Sequence, residues 1–425
     1  MSKFETGNET SALLFSNATL VDGTRDDARE GFHVLVENDR IKEISDKPIT
    51  SAQANLRRFD LKGATLMPGL MDAHVHVKAT DMNLGRLTNI PSTYLFAGSG
   101  RIMESMLMRG FTTVRDAAGA DRGLANAVAD GLMRGPRLFV SGLALSQTGG
   151  HGDFRSPTEN STVISCACQV NSAQFARIAD GADECRRAAR DELRKGAHQL
   201  KIMAGGGVAS PTDPVQNTQY SEDEMRAIVE ECAAWHTYAM AHAYTPHAIT
   251  RAVNCGVRSI EHGNLVDEAT ARLMAEKSVF HVPTSITYVA LHKHGKDFGV
   301  PDVSMQKLPE ILDAGLRAIE LTSKAGVKVA SGSDLLGKTH EYQADELQLK
   351  AEVLGNFGAI KSATLTNAEL FQQQGELGVL AVGAKADLLV VDGDPLKDIS
   401  LLLNQGARMR VITLNGQVVK NDWTG

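Results

Sequence analysis

Eight short apolar segments alternate with longer amphipathic ones through the middle of this chain, and few folds accept that order. The segments are GLMDAHVH (69–76), TTVRDA (112–117), RLFVSG (137–142), HQLKIMA (198–204), YAMAHA (238–243), RSIEHG (258–263), VFHVPT (279–284) and VKVASGSD (327–334). Between them lie stretches of helical spacing, including DRGLANAVADGLMRG, RIADGADECRRAARDELRKG, SEDEMRAIVEECAAWH and PEILDAGLRAIELTSKAG. Several close on a glycine just before the next strand, as helix C-termini do. Eight strand–helix units in one run predict a (β/α)8 TIM-like barrel over 68–373. A doubly wound sheet would carry G-x-G-x-x-G after its first strand, and none follows here.

The two ends have a different texture. ALLFSNATLVDG and FHVLVENDRIKEIS near the start, with ADLLVVDGDPL and RMRVITLNGQVVKND near the finish, read as short strands broken by turns. Asn415-Gly416 is a two-residue hairpin signal. Residues 1–67 together with 374–425 are therefore expected to form one small β-sandwich domain. Two polar, glycine-containing segments, 143–174 and 204–221, fit neither strand nor helix. In a barrel they would lie over the active-site face.

A net charge of −7 with no long basic run argues against nucleic acid as a partner. No stretch is apolar enough for a secretory signal core or a membrane span, which leads to the expectation of a cytoplasmic protein with no membrane partner. The five cysteines, Cys166 and Cys168 among them, are irregularly spaced and read as free thiols. The thirteen histidines are the richer source of ligands.

His74 and His76 are two residues apart on a strand, so both side chains point the same way. H-x-H alone is often incidental. The other strand ends add weight: strand four carries Lys201, strand five ends at His242, strand six at His262 and strand eight at Asp334. Barrels gather their catalytic groups on that face. Imidazole and carboxylate suit Zn²⁺. A lysine ammonium cannot bind a metal, but an amine carbamylated by CO2 offers two oxygens, one to each of two ions. Such a pair of ions polarises a scissile carbonyl and lowers the pKa of bound water. The alternative for Lys201 is a buried amine paired with an acid.

DAHVH, LKIMAGGG, AHAYTPHAI, SIEHGNLVDE and ASGSD together resemble the amidohydrolase superfamily. More closely they resemble its imidazolonepropionase-like and prolidase-like branch, which includes Xaa-Pro and C-terminal dipeptidases and ochratoxin-degrading amidohydrolases. The resemblance runs over nearly the whole chain. It implies two divalent metal ions, with Zn²⁺ expected. His74, His76 and Asp334 would hold the more buried ion, and His242 and His262 the other. N6-carboxylated Lys201 would bridge both, along with a hydroxide. Asp334 would shuttle the proton from that hydroxide to the leaving amine. His151, in TGGHGD, would hydrogen-bond the oxyanion, the alternative being a solvated loop histidine. Tyr220, Tyr244, His281 and Tyr288 are further candidates for substrate contact, each also readable as structural. His292, His294 and His340 are expected in loops.

Members of the superfamily that use one metal lack the bridging lysine, so Lys201 points to the two-metal peptidase side. The expected reaction is hydrolysis of an amide bond, releasing a C-terminal amino acid from a dipeptide or N-acyl amino acid. Ochratoxin A, an N-acyl phenylalanine, is a leading candidate. Two other readings stay open: hydrolysis of a cyclic amide or lactone ring, and a non-catalytic assembly protein on the same barrel. The resemblance also implies a homo-oligomer, the octamer being one form.

Overall fold

The computed structural model describes residues 12–87, 90–155, 174–210, 213–300 and 302–424. It divides into two compact units, one of residues 1–71, 107–112 and 356–425, the other of 72–106 and 113–355.

The first unit is built on an eight-stranded sheet. Its main path runs from Gln417–Asn421 through Met409–Leu414, Leu388–Val391, Thr65–Pro68, Ala12–Leu20 and Arg29–Glu37 to Arg40–Ser45. The sheet branches on Ala12–Leu20. Residues 12–16 pair in parallel with Leu56–Asp60, whereas Thr19 and Leu20 pair with Thr65 and Leu66. The fork falls at Asn17, which takes a positive φ of 55° in a bulge of the strand. Hydrogen bonding thus joins strands from both ends of the chain in one branched network. Phe15, Val34, Leu66, Val390 and Val411 fill its core. Asn415 and Gly416 form the expected tight turn, both at positive φ.

The second unit carries the strand–helix alternation. Strands Leu70–Val75, Phe111–Asp116 and Arg137–Val140 form one sheet. Ala176–Ile178, Ala144–Ser146, Leu200–Met203, Ala239–Ala243, Ser259–His262 and Phe280–Val282 form another, all parallel. The small strand Ala144–Ser146 belongs to the 143–174 stretch expected as an irregular loop, and residues 156–173 of that stretch lie outside the described residues, Cys166 and Cys168 with them. Ala176–Ile178 is a second small strand, and its last two residues open a segment expected to be helical. The eighth expected strand is irregular: over 327–334 only Val329 makes a bridge, to His281. That segment still spans two strands. Ala330 N donates to His281 O at 2.8 Å, and Ala73 N donates to Ser331 O at 2.7 Å. Gly332 permits the approach, since a Cβ there would meet His74 Cβ at 2.7 Å.

Along each strand the residues alternate. Leu200, Ile202, Ala239, Ala241, Ala243 and Ile260 join one large apolar core beneath the helices, with Ile228, Ile249 and Met274. The side chains between them, Lys201, Met203, His242 and Glu261, turn the other way. Two helices depart from expectation. Asp302–Lys324 begins before Pro309 and carries that proline inside it, its early turns anchored by buried Ser304 and Leu308. Ser285–His294 forms although its run of β-branched and aromatic residues has low helical propensity, and it holds His292 and His294. His340 lies buried in the 3-10 turn Gly337–Tyr342 rather than in a loop, its ring at 3.0 Å from Ala79 O. No helix of the described residues is long and apolar enough to cross a membrane.

Candidate active site

One cavity in the second unit collects nine of the eleven expected site residues: His74, His76, His151, Lys201, His242, Tyr244, His262, Tyr288 and Asp334. The rest of its wall is mostly apolar, from Leu84, Phe154, Phe175, Met203, Val208, Leu291 and Leu336. Tyr220 and His281 are elsewhere. Tyr220 is buried in the apolar core under the helices, among Cys185, Met225 and Ile228. His281 is fully buried behind the cavity, with ring nitrogens 2.9 Å from Thr322 Oγ1 and 2.8 Å from His262 O. Its side chain meets Thr322 of the helix Asp302–Lys324 instead of the cavity.

Each of the four strand histidines has one ring nitrogen committed to an outward partner. His74 Nδ1 lies 2.7 Å from Glu261 Oε2, and His76 Nδ1 lies 3.2 Å from Ala118 O. His242 Nε2 lies 3.1 Å from Gly206 O, and His262 Nδ1 lies 2.8 Å from Thr284 Oγ1. Carbonyl and carboxylate oxygens accept, so His74, His76 and His242 each carry a proton on the outward nitrogen. In the neutral rings of His74 and His242 the inward nitrogen keeps its lone pair, which is how ligating imidazoles are oriented. Asp334 stands among them. Its Oδ1 is 3.1 Å from His76 Nε2 and 3.4 Å from His74 Nε2, and its Oδ2 is 3.8 Å from His262 Nδ1. His74, His262 and Asp334 each place a donor atom within 4.8 Å of the others'.

Burial shapes the charges. It pushes His74, His242 and His262 well below the usual imidazole range, helped by neighbouring cationic groups, so these rings are neutral. His76 is the exception: burial pulls it down, but the Asp334 carboxylate at its Nε2 raises it overall. Burial raises Asp334 itself, and the surrounding His74, His76 and Lys201 outweigh it and hold the carboxyl low. Lys201 is brought down to about 8 by burial, against the pull of Glu261 and Asp334. A buried amine that loses its proton near neutrality is the form that reacts with CO2. Neutral imidazoles, an ionised carboxylate and a deprotonable lysine on one wall fit divalent metal ions.

Local backbone geometry brings these groups inward. Simple alternation would place Glu261 and His262 on opposite faces of their strand. His262 adopts φ 71°, which breaks the alternation and turns its ring into the cavity behind Glu261. Asp334 also has a positive φ, 53°. Such residues cost on the order of 1 kcal/mol each and persist where the surroundings over-determine them. The surroundings here are explicit. Asp334 N donates to His74 O at 2.7 Å, and Ser333 Oγ donates to buried Asp72 at 2.6 Å. Gln343 Nε2 donates to Asp72 as well, at 2.9 Å.

The run AGGG after Lys201 has a spatial cause. A Cβ on Gly206 would meet Pro214 O at 1.9 Å, and one on Gly207 would meet His151 Cε1 at 2.1 Å. His151 stacks on His242 with ring centroids 4.1 Å apart. Its Nδ1 is 2.9 Å from Ser210 Oγ and 3.6 Å from buried Asp213. Next to His242, the hydroxyls of Tyr244 and Tyr288 are 2.9 Å apart, and the Tyr244 ring stacks on His262.

Sequence reasoning missed the outer partners. Glu261 and Arg115 are fully buried, with Arg115 NH2 at 2.9 Å from Glu261 Oε1 and Arg115 Nε donating to Ala73 O at 2.7 Å. A signal existed in SIEHG: an acid two residues after a serine, inside an otherwise apolar strand, must be paired. Asp72, Thr284, Ser210 and Asp213 left no comparable trace, because their partners come from distant segments.

Known proteins similar to this chain identify its family. Residues 65–419 match the family model described as Amidohydrolase family. Ochratoxinase of Aspergillus niger is 36% identical over 352 residues, covering 79% of this chain and 72% of that protein. The crystal structure of a prolidase complexed with N-methylphosphonate-L-proline superposes with a TM-score of 0.94 at 50% identity, over 96% of this chain and 100% of that one. A Xaa-Pro dipeptidase with methionine bound in its active site gives a TM-score of 0.84 at 27% identity, over 96% and 100%. With its histidines, lysine and aspartate converging on one cavity, the chain belongs to the amidohydrolase family and is a hydrolytic enzyme acting on amide bonds.

Proposed function

We propose that this enzyme is a two-metal amidohydrolase that releases the C-terminal amino acid from dipeptides and N-acyl amino acids. Its frame in this reading is a closed (β/α)8 barrel, completed by the 327–334 segment, and a sandwich formed by the two arms of the terminal sheet. The observation that carries the reading is the matched orientation of four imidazoles, each with one nitrogen held from behind, around Lys201 and Asp334. His74, His76 and Asp334 would hold one ion, His242 and His262 the other, with carboxylated Lys201 between them. Two divalent ions, with Zn²⁺ expected, would supply carbonyl polarisation and a water of lowered pKa.

The protein's own residues do the rest. Asp334 accepts the proton of the attacking water and delivers it to the amide nitrogen as the C–N bond breaks. The water oxygen ends on the carbonyl carbon, giving a carboxylic acid and a free amino acid. His151 donates a hydrogen bond to the carbonyl oxygen as it gains charge. Tyr244 and Tyr288 offer hydroxyls to the polar end of the substrate, and Phe154, Phe175 and Leu336 suit an apolar acyl group.

Proline-terminated dipeptides lead the substrate list, because the relative at 50% identity is a prolidase crystallised with a phosphonate of proline. Ochratoxin A follows, because ochratoxinase is similar over most of its length. The test is amino-acid release by zinc-loaded enzyme across Xaa-Pro dipeptides, dipeptides varied at the C-terminal residue, N-acyl amino acids and ochratoxin A. Release of one free C-terminal residue per turnover is expected. No release from a metal-bound enzyme would move the assignment to ring hydrolysis of lactones or cyclic amides.

A further inference from the structure

Lys307 lies near the start of the helix Asp302–Lys324, half-buried and outside the cavity. Its ammonium donates to three backbone carbonyls, Gly207 O at 2.8 Å, Ser210 O at 3.0 Å and Asp213 O at 2.7 Å. Three N–H donors meet three acceptors, so the group is saturated. All three acceptors follow Lys201 closely in the chain. These residues and their neighbours touch the reaction site in several places. Val208 and Ala209, between two of the bound carbonyls, line the cavity. Gly206 O faces His242, and Ser210 Oγ faces His151. Asp213, 1% exposed, accepts from Gly207 N at 3.0 Å and from Gln219 Nε2 at 2.9 Å, and Gln219 Oε1 accepts from His151 N at 2.8 Å. A buried carboxylate needs a compensating cation. Lys307 supplies one, and its charge interacts with Asp213.

We propose that Lys307 is a positioning residue for the hydrolysis, holding Gly207, Ser210 and Asp213 in place so that Ser210 fixes the ring of His151. Ser210 Oγ, 2.9 Å from Nδ1, fixes the plane of the ring over His242 and leaves Nε2 to face a carbonyl oxygen. Loss of the clamp frees Ser210, and the ring's place over His242 is lost with it. The kinetic consequence rests on the role given to His151 above. The structural consequence does not.

The experiment compares Lys307→Met, Lys307→Arg, His151→Asn and the Lys307→Met/His151→Asn double variant at equal zinc content, on an amide that the wild type hydrolyses. Lys307→Met is expected to lower kcat about tenfold or more with KM nearly unchanged. Lys307→Arg, which keeps a charged multi-donor group, restores most of the loss. The double variant is no slower than His151→Asn alone, because the two act as a unit. Wild-type kcat in Lys307→Met, or losses that multiply in the double variant, would overturn the proposal. A second measurement needs no substrate: the nitrogen-15 shifts of the His151 ring and hydrogen exchange at Gly207 N. Lys307→Met is expected to shift the ring nitrogen resonances and to speed exchange. Unchanged spectra and protection overturn the clamp even if no amide in the panel is cleaved, and a failed panel with disturbed spectra overturns only the substrate assignment.

Discussion

Gly207 shows how little room a single residue leaves. Its missing Cβ is where the His151 ring lies, at 2.1 Å. Gly207→Ala is expected to displace that ring and lower kcat/KM roughly a hundredfold, the scale of a misplacement of about 1 Å. Gly205→Ala is the control: its Cβ would find 3.4 Å to the nearest atom, and steady-state kinetics should stay at the wild-type level. Glu261 acts through His74 in another way. Glu261→Gln keeps the shape but weakens the charge-assisted bond to Nδ1, so zinc affinity measured against a competing chelator should fall about 10- to 100-fold. Lys201 sets a pH dependence. Its amine is brought down to about 8, and only the neutral form reacts with CO2. Recovery of activity from metal-free enzyme on adding zinc under a fixed partial pressure of CO2, which holds dissolved CO2 constant, should therefore quicken as pH rises toward 8 and level off above it. A recovery rate flat from pH 6 to 9 would contradict the carbamate.

Among the elements, the helix Ser285–His294 has the least expected cap. Its N-cap residue, Thr284, sits at φ 49° and makes no side-chain cap, because its hydroxyl is engaged with His262. Glu346 replaces it from a distant helix, accepting from Ile286 N at 2.7 Å, and is itself bonded to buried Lys350. Glu346→Ala should cost about 3–5 kcal/mol in urea unfolding, since it strands a buried ammonium as well as a helix end. Replacing both partners with apolar residues should cost much less. The strands and most helices were legible because periodicity is local: Leu200, Ile202, Ala239 and Ala241 face the core in the order their spacing predicts. The metal-ligand candidates were legible for the same reason, as strand-end residues. The eighth strand was over-read, because 327–334 meets its neighbours through scattered bonds. The helix Ser285–His294 was missed because its cap comes from Glu346, some sixty residues away. His281 looked functional by type, and its real surroundings depend on Thr322, which no local pattern connects to it.

At the scale of the molecule, the site couples binding to stability. The imidazoles of His74, His76, His242 and His262 and the Asp334 carboxylate crowd one cavity, and bound cations would relieve that crowding. Chelator-treated enzyme should melt at a lower temperature than the zinc-loaded form, with the difference growing with free zinc, as linkage requires. A melting temperature independent of zinc would count against ligation. The first unit carries a different consequence. Thr65–Pro68 lies in the middle of its sheet and pairs with Leu388–Val391, and Thr65 Oγ1 donates to Gly393 O, 328 residues further along. On the ribosome this strand emerges early and waits, one edge unpaired, while nearly the whole of the intervening chain is made. Contacts this distant in sequence form slowly, and an open apolar edge is a site for aggregation. Slow synthesis or a stall before residue 388 should therefore harm the yield of soluble enzyme far more than a stall of equal length after residue 421.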